Sequence, residues 1–208
     1  MDFELTEEQK MLQDMARNFL AVECPKKLVK EMMEDERGYP PELWRKMGEL
    51  GWMGLAFPEE YGGTGGSFLD FAVLLEEMGR ACLPGPFFST VVLGGMIILA
   101  MGNENQKQEL LPKIAHGDLI VTVAFTEPSA RYDIDGITTK AVADGNSYTI
   151  TGTKLFVPDA HIADHIICVA RVEEGVTLFL VESKSPGINC TLLKTIAGDK
   201  QCEVEFDN

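Results

Sequence analysis

A chain of 208 residues and 22.9 kDa is long enough to bury one large or two modest cores. With 45% hydrophobic and 25% charged residues it lies in the ordinary globular range, which excludes a disordered or collagen-like chain. Its 33 acidic and 18 basic residues give a net charge of -15, and the densest basic group, Lys26, Lys27 and Lys30, runs straight into Glu31, Glu34, Asp35 and Glu36; neither nucleic acid nor an anionic membrane is an expected partner.

Thr6-Glu7-Glu8-Gln9 carries the capping-box spacing, and Met11, Leu12, Met15, Ala16, Phe19 and Leu20 follow at helical intervals, which predicts a first helix with one apolar stripe. Pro25 opens a second helix, striped by Leu28, Val29, Met32 and Met33, and Pro41 opens a third through Leu43, Trp44, Met47 and Leu50, closed at Gly51. The run that follows ends in Pro58-Glu59-Glu60-Tyr61-Gly62-Gly63-Thr64-Gly65-Gly66. A glycine-rich loop before a helix can cradle phosphate on backbone amides, but no strand precedes this one, no Gly-Lys-Ser/Thr closes it, and Glu59 and Glu60 repel an anion. A sharp turn between helices is therefore expected. A fourth helix is predicted over Ser67 to Arg80; Pro84-Gly85-Pro86 then breaks the chain before an apolar helix, Ser89 to Met101, in which Gly94 and Gly95 permit close packing. The longest apolar run, Val91 to Met101, falls short of the roughly 20 residues that span a bilayer. Asn103 to Ala115 reads as a last amphipathic helix interrupted at Pro112, and His116-Gly117-Asp118 turns the chain out of it.

From Leu119 the period changes from helical to alternating. Leu119 to Phe125, Ile137 to Ala143, Tyr148 to Thr151, His165 to Arg171, Val176 to Val181 and Asn189 to Leu193 are predicted strands, with a last one toward Asn208. Val121, Val123 and Phe125 alternate with Thr122, Ala124 and Thr126, the pattern of a strand with one buried face, until Pro128 stops the ladder. Asp144-Gly145-Asn146 supplies hairpin chemistry, so the strand ends at Phe125-Thr126 and Phe156-Val157 come within reach of each other. Helices followed by strands indicate an α+β chain: an all-α domain over residues 1–117, then an antiparallel β-barrel or sandwich over residues 118–208.

His161 and His165 are four apart, but on a loop entering a strand that spacing does not converge on one ion, so no metal site is expected. Nor does any Gly-x-Ser-x-Gly or cysteine–histidine motif point to a nucleophile. The five cysteines, Cys24, Cys82, Cys168, Cys190 and Cys202, form no Cys-x-x-Cys pair, and Met1-Asp2-Phe3-Glu4 offers no basic leader; a reducing cytoplasm is the expected location.

The Thr126-Glu127-Pro128 run, the Gly152-Thr153-Lys154-Leu155-Phe156-Val157 run and the Pro58-Glu59-Glu60-Tyr61-Gly62-Gly63 turn together resemble the acyl-CoA dehydrogenase family over the whole chain. The resemblance implies the family's N-terminal helical and flavin-binding middle domains, with Asp199 to Asn208 as the last middle-domain strand and the C-terminal helical domain absent. It implies FAD held by Val123, Phe125, Thr126, Phe156, Val157 and Pro158, the Thr126 hydroxyl and nearby backbone meeting the pyrimidine edge and Phe156 lying against the ring. An acyl-CoA substrate, an electron-transfer flavoprotein as electron acceptor, and a homo-oligomer or a heteromer of dehydrogenase subunits are implied as partners. The family's catalytic glutamate belongs to the absent domain, so no catalytic residue is expected here.

Two departures from the family pattern stand out. Pro158 takes the place of a hydroxyl residue and can donate no hydrogen bond. Ser129-Ala130-Arg131-Tyr132-Asp133 replaces Gly-Ala-Gly-Ser-Asp, so that Arg131 and Tyr132 either contact substrate, Arg131 gripping a phosphate, or fill the groove. The alternative function is thus a catalytically silent flavin-binding or structural subunit of a heteromeric dehydrogenase. Lys154 is read as a structural cation, and Glu127 taken alone as a solvated carboxylate at a strand end.

Overall fold

The structure, a computed structural model, describes residues 4–131, 133–145 and 147–207. Tyr132 and the Asn146 position of the hairpin turn lie outside the described residues. The chain divides into two compact units, one running through Gly85 and including Ile97–Asp118, the other formed by Pro86–Met96 and the chain from Leu119 onward.

In the helical unit, α1 (Glu7–Glu23) starts at a Thr6–Gln9 capping box, α2 (Lys26–Glu34) follows Pro25, and α3 (Pro41–Glu49) begins on its proline. α4 (Phe68–Ala81) is capped by Ser67. Its core gathers Leu20, Trp44, Trp52, Phe57, Phe71 and Leu111, all nearly inaccessible to solvent. The glycine-rich turn spends its own amides: Gly63 donates to the Pro58 carbonyl, Thr64 to Gly54, Gly65 to Phe57 and Gly66 to Leu55, at 2.8–3.1 Å. No donor of that set remains for a phosphate, and a Cβ on Gly63 would stand 2.0 Å from the Phe57 oxygen. The turn is therefore a packing device, as expected.

Two helix expectations change. The apolar stretch after Pro86 is π-helical over Phe88–Gly95 and becomes the α-helix α5 only at Met96–Met101. Pro112 does not interrupt the last helix: α6 runs unbroken from Glu104 to His116, capped by Asn103 at one end and by left-handed Gly117 at the other.

The strand unit is a seven-stranded curled sheet in the order β1-β4-β2-β3-β7-β6, with β5 on the other side of β4. The strands are β1 (Val121–Ala124), β2 (Lys140–Asp144), β3 (Ser147–Pro158), β4 (His165–Val172), β5 (Gly175–Glu182), β6 (Ile188–Leu193) and β7 (Gln201–Phe206). The expected antiparallel architecture needs one correction, since the sheet is mixed. β1 pairs parallel to β4 from Val121↔His165 to Ala124↔Cys168, and β2 touches β4 in parallel at Lys140↔Arg171. The β2–β3 hairpin intervenes between β1 and β4, and that long connection lets the chain return in the same direction. The core collects Ala124, Val157, Ile166, Cys168, Val204 and Phe206.

β1 is also not buried on one alternating face. Val121, Thr122 and Ala124 are fully buried, whereas Val123 is only partly so. The π-helical turn explains the phase: a Cβ on Gly94 would lie 2.9 Å from the Val121 side chain, so the helix backbone seals Val121. Val123 and Phe125, further along the same face, stay half-open.

Candidate functional site

The β1–β4 ladder ends at Ala124, and the chain beyond it is held by β3 instead. Leu155 N–H donates to the Thr126 carbonyl at 2.8 Å, and Lys154 Nζ donates to the Phe125 carbonyl at 3.2 Å. The two runs singled out in the sequence are therefore neighbours. Lys154 Nζ also lies 2.8 Å from Glu127 Oε1, with both side chains buried, at 0% and 2% exposure. Glu127 is not a solvated carboxylate. Its Oε2 accepts from Thr138 N–H at 2.7 Å and Thr138 Oγ1 at 2.5 Å, and its Oε1 from Thr139 N–H at 3.0 Å. Burial pushes its pKa up, but the Lys154 ammonium and these donors outweigh burial and hold it at about 2. One ion pair thus ties the end of β1, the loop before β2 and the middle of β3 into a single bend.

Two residues later β3 carries a bulge. Lys154 pairs with Val204 but Val157 with Cys202, so β3 spends one more residue than β7 over the same interval. Lys154 and Val157, three apart, both turn inward. The displaced residue is Phe156, whose backbone is left-handed at φ 54° and which is 54% exposed. A phenylalanine in that conformation costs about 1–2 kcal/mol, and a side chain left half-open to solvent returns only part of what full burial would give. Val157 is buried in the core, so it presents only backbone to any ligand. Pro158, at the end of β3, is fixed by its carbonyl, which accepts from Thr122 Oγ1 at 2.5 Å.

Around this bend the side of Val123, Phe125 and Thr126 is partly open. Among the described residues the Thr126 hydroxyl has no hydrogen-bond partner in the protein. Arg131 stands apart, exposed and paired to Asp133 at 3.0 Å; Asp133 in turn caps the turn Ile134–Gly136 through Gly136 N–H. A cavity of 450 Å3 opens elsewhere in the strand unit, among Tyr148, Phe179, Val181, Ile188 and Phe206. None of the described residues predicted to hold a ligand lines it. No cluster of metal-binding side chains occurs among the described residues.

Two family models match the chain: the acyl-CoA dehydrogenase N-terminal domain over residues 6–118 and the acyl-CoA dehydrogenase middle domain over residues 122–208. The chain belongs to the acyl-CoA dehydrogenase family. It is 35% identical over 199 residues to a probable acyl-CoA dehydrogenase, YngJ, of Bacillus subtilis, covering 92% of this chain and 52% of that protein. Among solved structures it superposes on a glutaryl-CoA dehydrogenase of Mycobacterium smegmatis in complex with FADH2, with TM-score 0.87 and 26% identity over 98% of this chain and 53% of that one. It also superposes on the ChsE4–ChsE5 complex of Mycobacterium tuberculosis, with TM-score 0.90 and 27% identity over 100% and 56% of the respective chains. The chain thus spans about half the length of the relatives it matches.

Within this acyl-CoA dehydrogenase fold, two features escaped the sequence reading. One is the Glu127–Lys154 pair, 27 residues apart; its only sequence signal is a lysine in the inward phase of a strand. The other is Asp159, left-handed at φ 55° and 9% exposed, which accepts from Ser89 Oγ of the π-helical turn at 2.6 Å. Burial pushes its carboxyl up to about 6, against the opposing hydroxyl of Ser89. Nothing in the local sequence announces a contact across 70 residues.

Proposed function

We propose that the chain supplies the flavin-binding part of an FAD-dependent acyl-CoA dehydrogenase. The observation that carries this reading is Phe156, an exposed aromatic held left-handed on a bulge beside the half-open Val123–Phe125 edge. Strain of this kind persists where function requires it. The residues fit a flat, partly apolar ring with a polar edge: Val123, Phe125 and Phe156 supply apolar surface, and the Thr126 hydroxyl and the backbone beyond Ala124 supply polar groups. Val157 and Pro158 contribute main chain alone, and the Pro158 position donates no hydrogen bond.

Bound FAD supplies an acceptor for the hydride leaving the β-carbon of an acyl-CoA thioester. The residues of this chain bind and orient the ring. No residue here is assigned the removal of the α-proton. An electron-transfer flavoprotein is the proposed electron acceptor and the cytoplasm the proposed location. A homo-oligomer, or a pairing with a second dehydrogenase subunit, is the proposed assembly. Two features favour a second reading, a silent flavin-binding subunit: the donor missing at Pro158, and Arg131 engaged with Asp133.

The test is FAD titration of the purified protein, followed by absorbance, then addition of acyl-CoA. Glycine at position 156 accepts the left-handed backbone, so Phe156→Gly should leave stability within about 1 kcal/mol while weakening FAD retention roughly tenfold or more. Equal FAD affinity in the two proteins would refute the assignment. Bleaching of the flavin by substrate supports the dehydrogenase; retained flavin without bleaching supports the silent subunit.

A further inference from the structure

Behind the bulge lies a thiol pair that the flavin reading does not use. Cys202 on β7 sits opposite Leu192 of β6 and opposite Val157 of β3, while Cys190 sits opposite Val204. In an antiparallel ladder, residues facing each other point to the same side, so Cys190 and Cys202 are diagonal neighbours on one face of hydrogen-bonded strands. Each thiol shifts the other's titration, the Cys190 thiol up and the Cys202 thiol down. His161 Nδ1 lies 4.0 Å from Cys202 Sγ. Cys202 is fully buried, whereas Cys190, on the edge strand of the sheet, is exposed. The Cys190 contact and the facing imidazole lower the Cys202 pKa against the effect of burial. Of the other three cysteines, Cys24 and Cys168 are buried and Cys82 is exposed.

We propose that Cys190 and Cys202 are an oxidant-responsive dithiol that a small hydroperoxide converts to a disulfide joining β6 to β7. The exposed Cys190 thiol passes its proton to the Cys202 thiolate, and the resulting Cys190 thiolate attacks the terminal peroxide oxygen; the oxygen–oxygen bond breaks and the departing alkoxide or hydroxide takes a proton from water, giving a sulfenic acid and an alcohol or water. Cys202 then attacks that sulfenic sulfur; a sulfur–sulfur bond forms, the sulfur–oxygen bond breaks, and the thiol proton leaves with the hydroxide as water. The two sulfurs give up two electrons and the peroxide oxygen receives them. A bridge here pins the edge strand to the strand that backs the Phe156 bulge. The inference does not depend on flavin binding.

The test treats the fully reduced native protein with hydrogen peroxide, counts free thiols and maps non-reduced peptides. The free thiols should fall from five to three, the mass should drop by two hydrogens, and one peptide should join Cys190 to Cys202. Because the fold positions the pair, bridging should run about tenfold faster in native buffer than in denaturant. Cys190→Ser, a surface change, should abolish the bridge, and the Cys24→Ser/Cys82→Ser/Cys168→Ser protein should retain it. An unchanged thiol count, sulfinic acid at Cys190 or Cys82 without a bridged peptide, or bridging as fast in denaturant would each overturn the proposal.

Discussion

Glu77 on α4 of the helical unit and Glu127 beyond β1 of the strand unit are both 2% exposed, yet their partners differ. Arg17 meets Glu77 with two nitrogens, at 2.6 and 3.0 Å, while its own side chain is 40% exposed. Lys154 meets Glu127 from 0% exposure, and the loop before β2 adds two backbone amides and a hydroxyl. A helix–helix surface can bury a carboxylate and leave its cation in water, because helices satisfy their own backbones. A bend where a ladder has ended must use the charged pair to hold backbone from three segments. The same degree of burial is therefore a peripheral clamp in one unit and a structural junction in the other.

Breaking the junction should produce the largest effect. Lys154→Met leaves Glu127 buried without its cation and should cost about 3–5 kcal/mol in denaturant unfolding, whereas Lys154→Met with Glu127→Gln should cost less than the two single changes summed. Glu127 titrates at about 2 in the folded protein against 4.5 when unfolded, so its contribution is complete above 4.5 and is lost as pH falls toward 2. That acid-limb slope should shrink in Lys154→Met.

Asp159 sharpens the contrast from the opposite side, being a buried carboxyl with a neutral donor from Ser89, where burial outweighs both that hydroxyl and the nearby His161. Its pKa is raised from 3.8 to about 6, so the folded state holds the proton more tightly than the unfolded chain. Its stability contribution is complete below 3.8 and lost as pH rises through 6. The two-unit difference corresponds to about 3 kcal/mol. Asp159→Asn should match the parent below 3.8 and exceed it by up to that amount above 6; a difference independent of pH would contradict this account.

The smallest effect belongs to the clamp. Arg17→Met should cost clearly less than Lys154→Met in denaturant unfolding, because solvent already screens the exposed guanidinium and water can reach one side of the vacated pair. A loss equal to that of Lys154→Met would erase the distinction between the units.

Much of this was legible in the chain itself. Capping boxes at Thr6 and Ser67, prolines at the helix starts, and the change of period after Leu119 identify helices and strands because their physics is local. The adjacency of the runs around Thr126 and Leu155 was foreshadowed by the hairpin chemistry between them. Tertiary packing alone decided the rest. The π-helical turn sets which face of β1 stays open, and the bulge turns Phe156 outward and Val157 inward. Long-range contact brings Ser89 to Asp159 and Lys154 to Glu127. A side chain's burial and charge state depend on neighbours that the fold assembles from distant positions, and no local spacing records them.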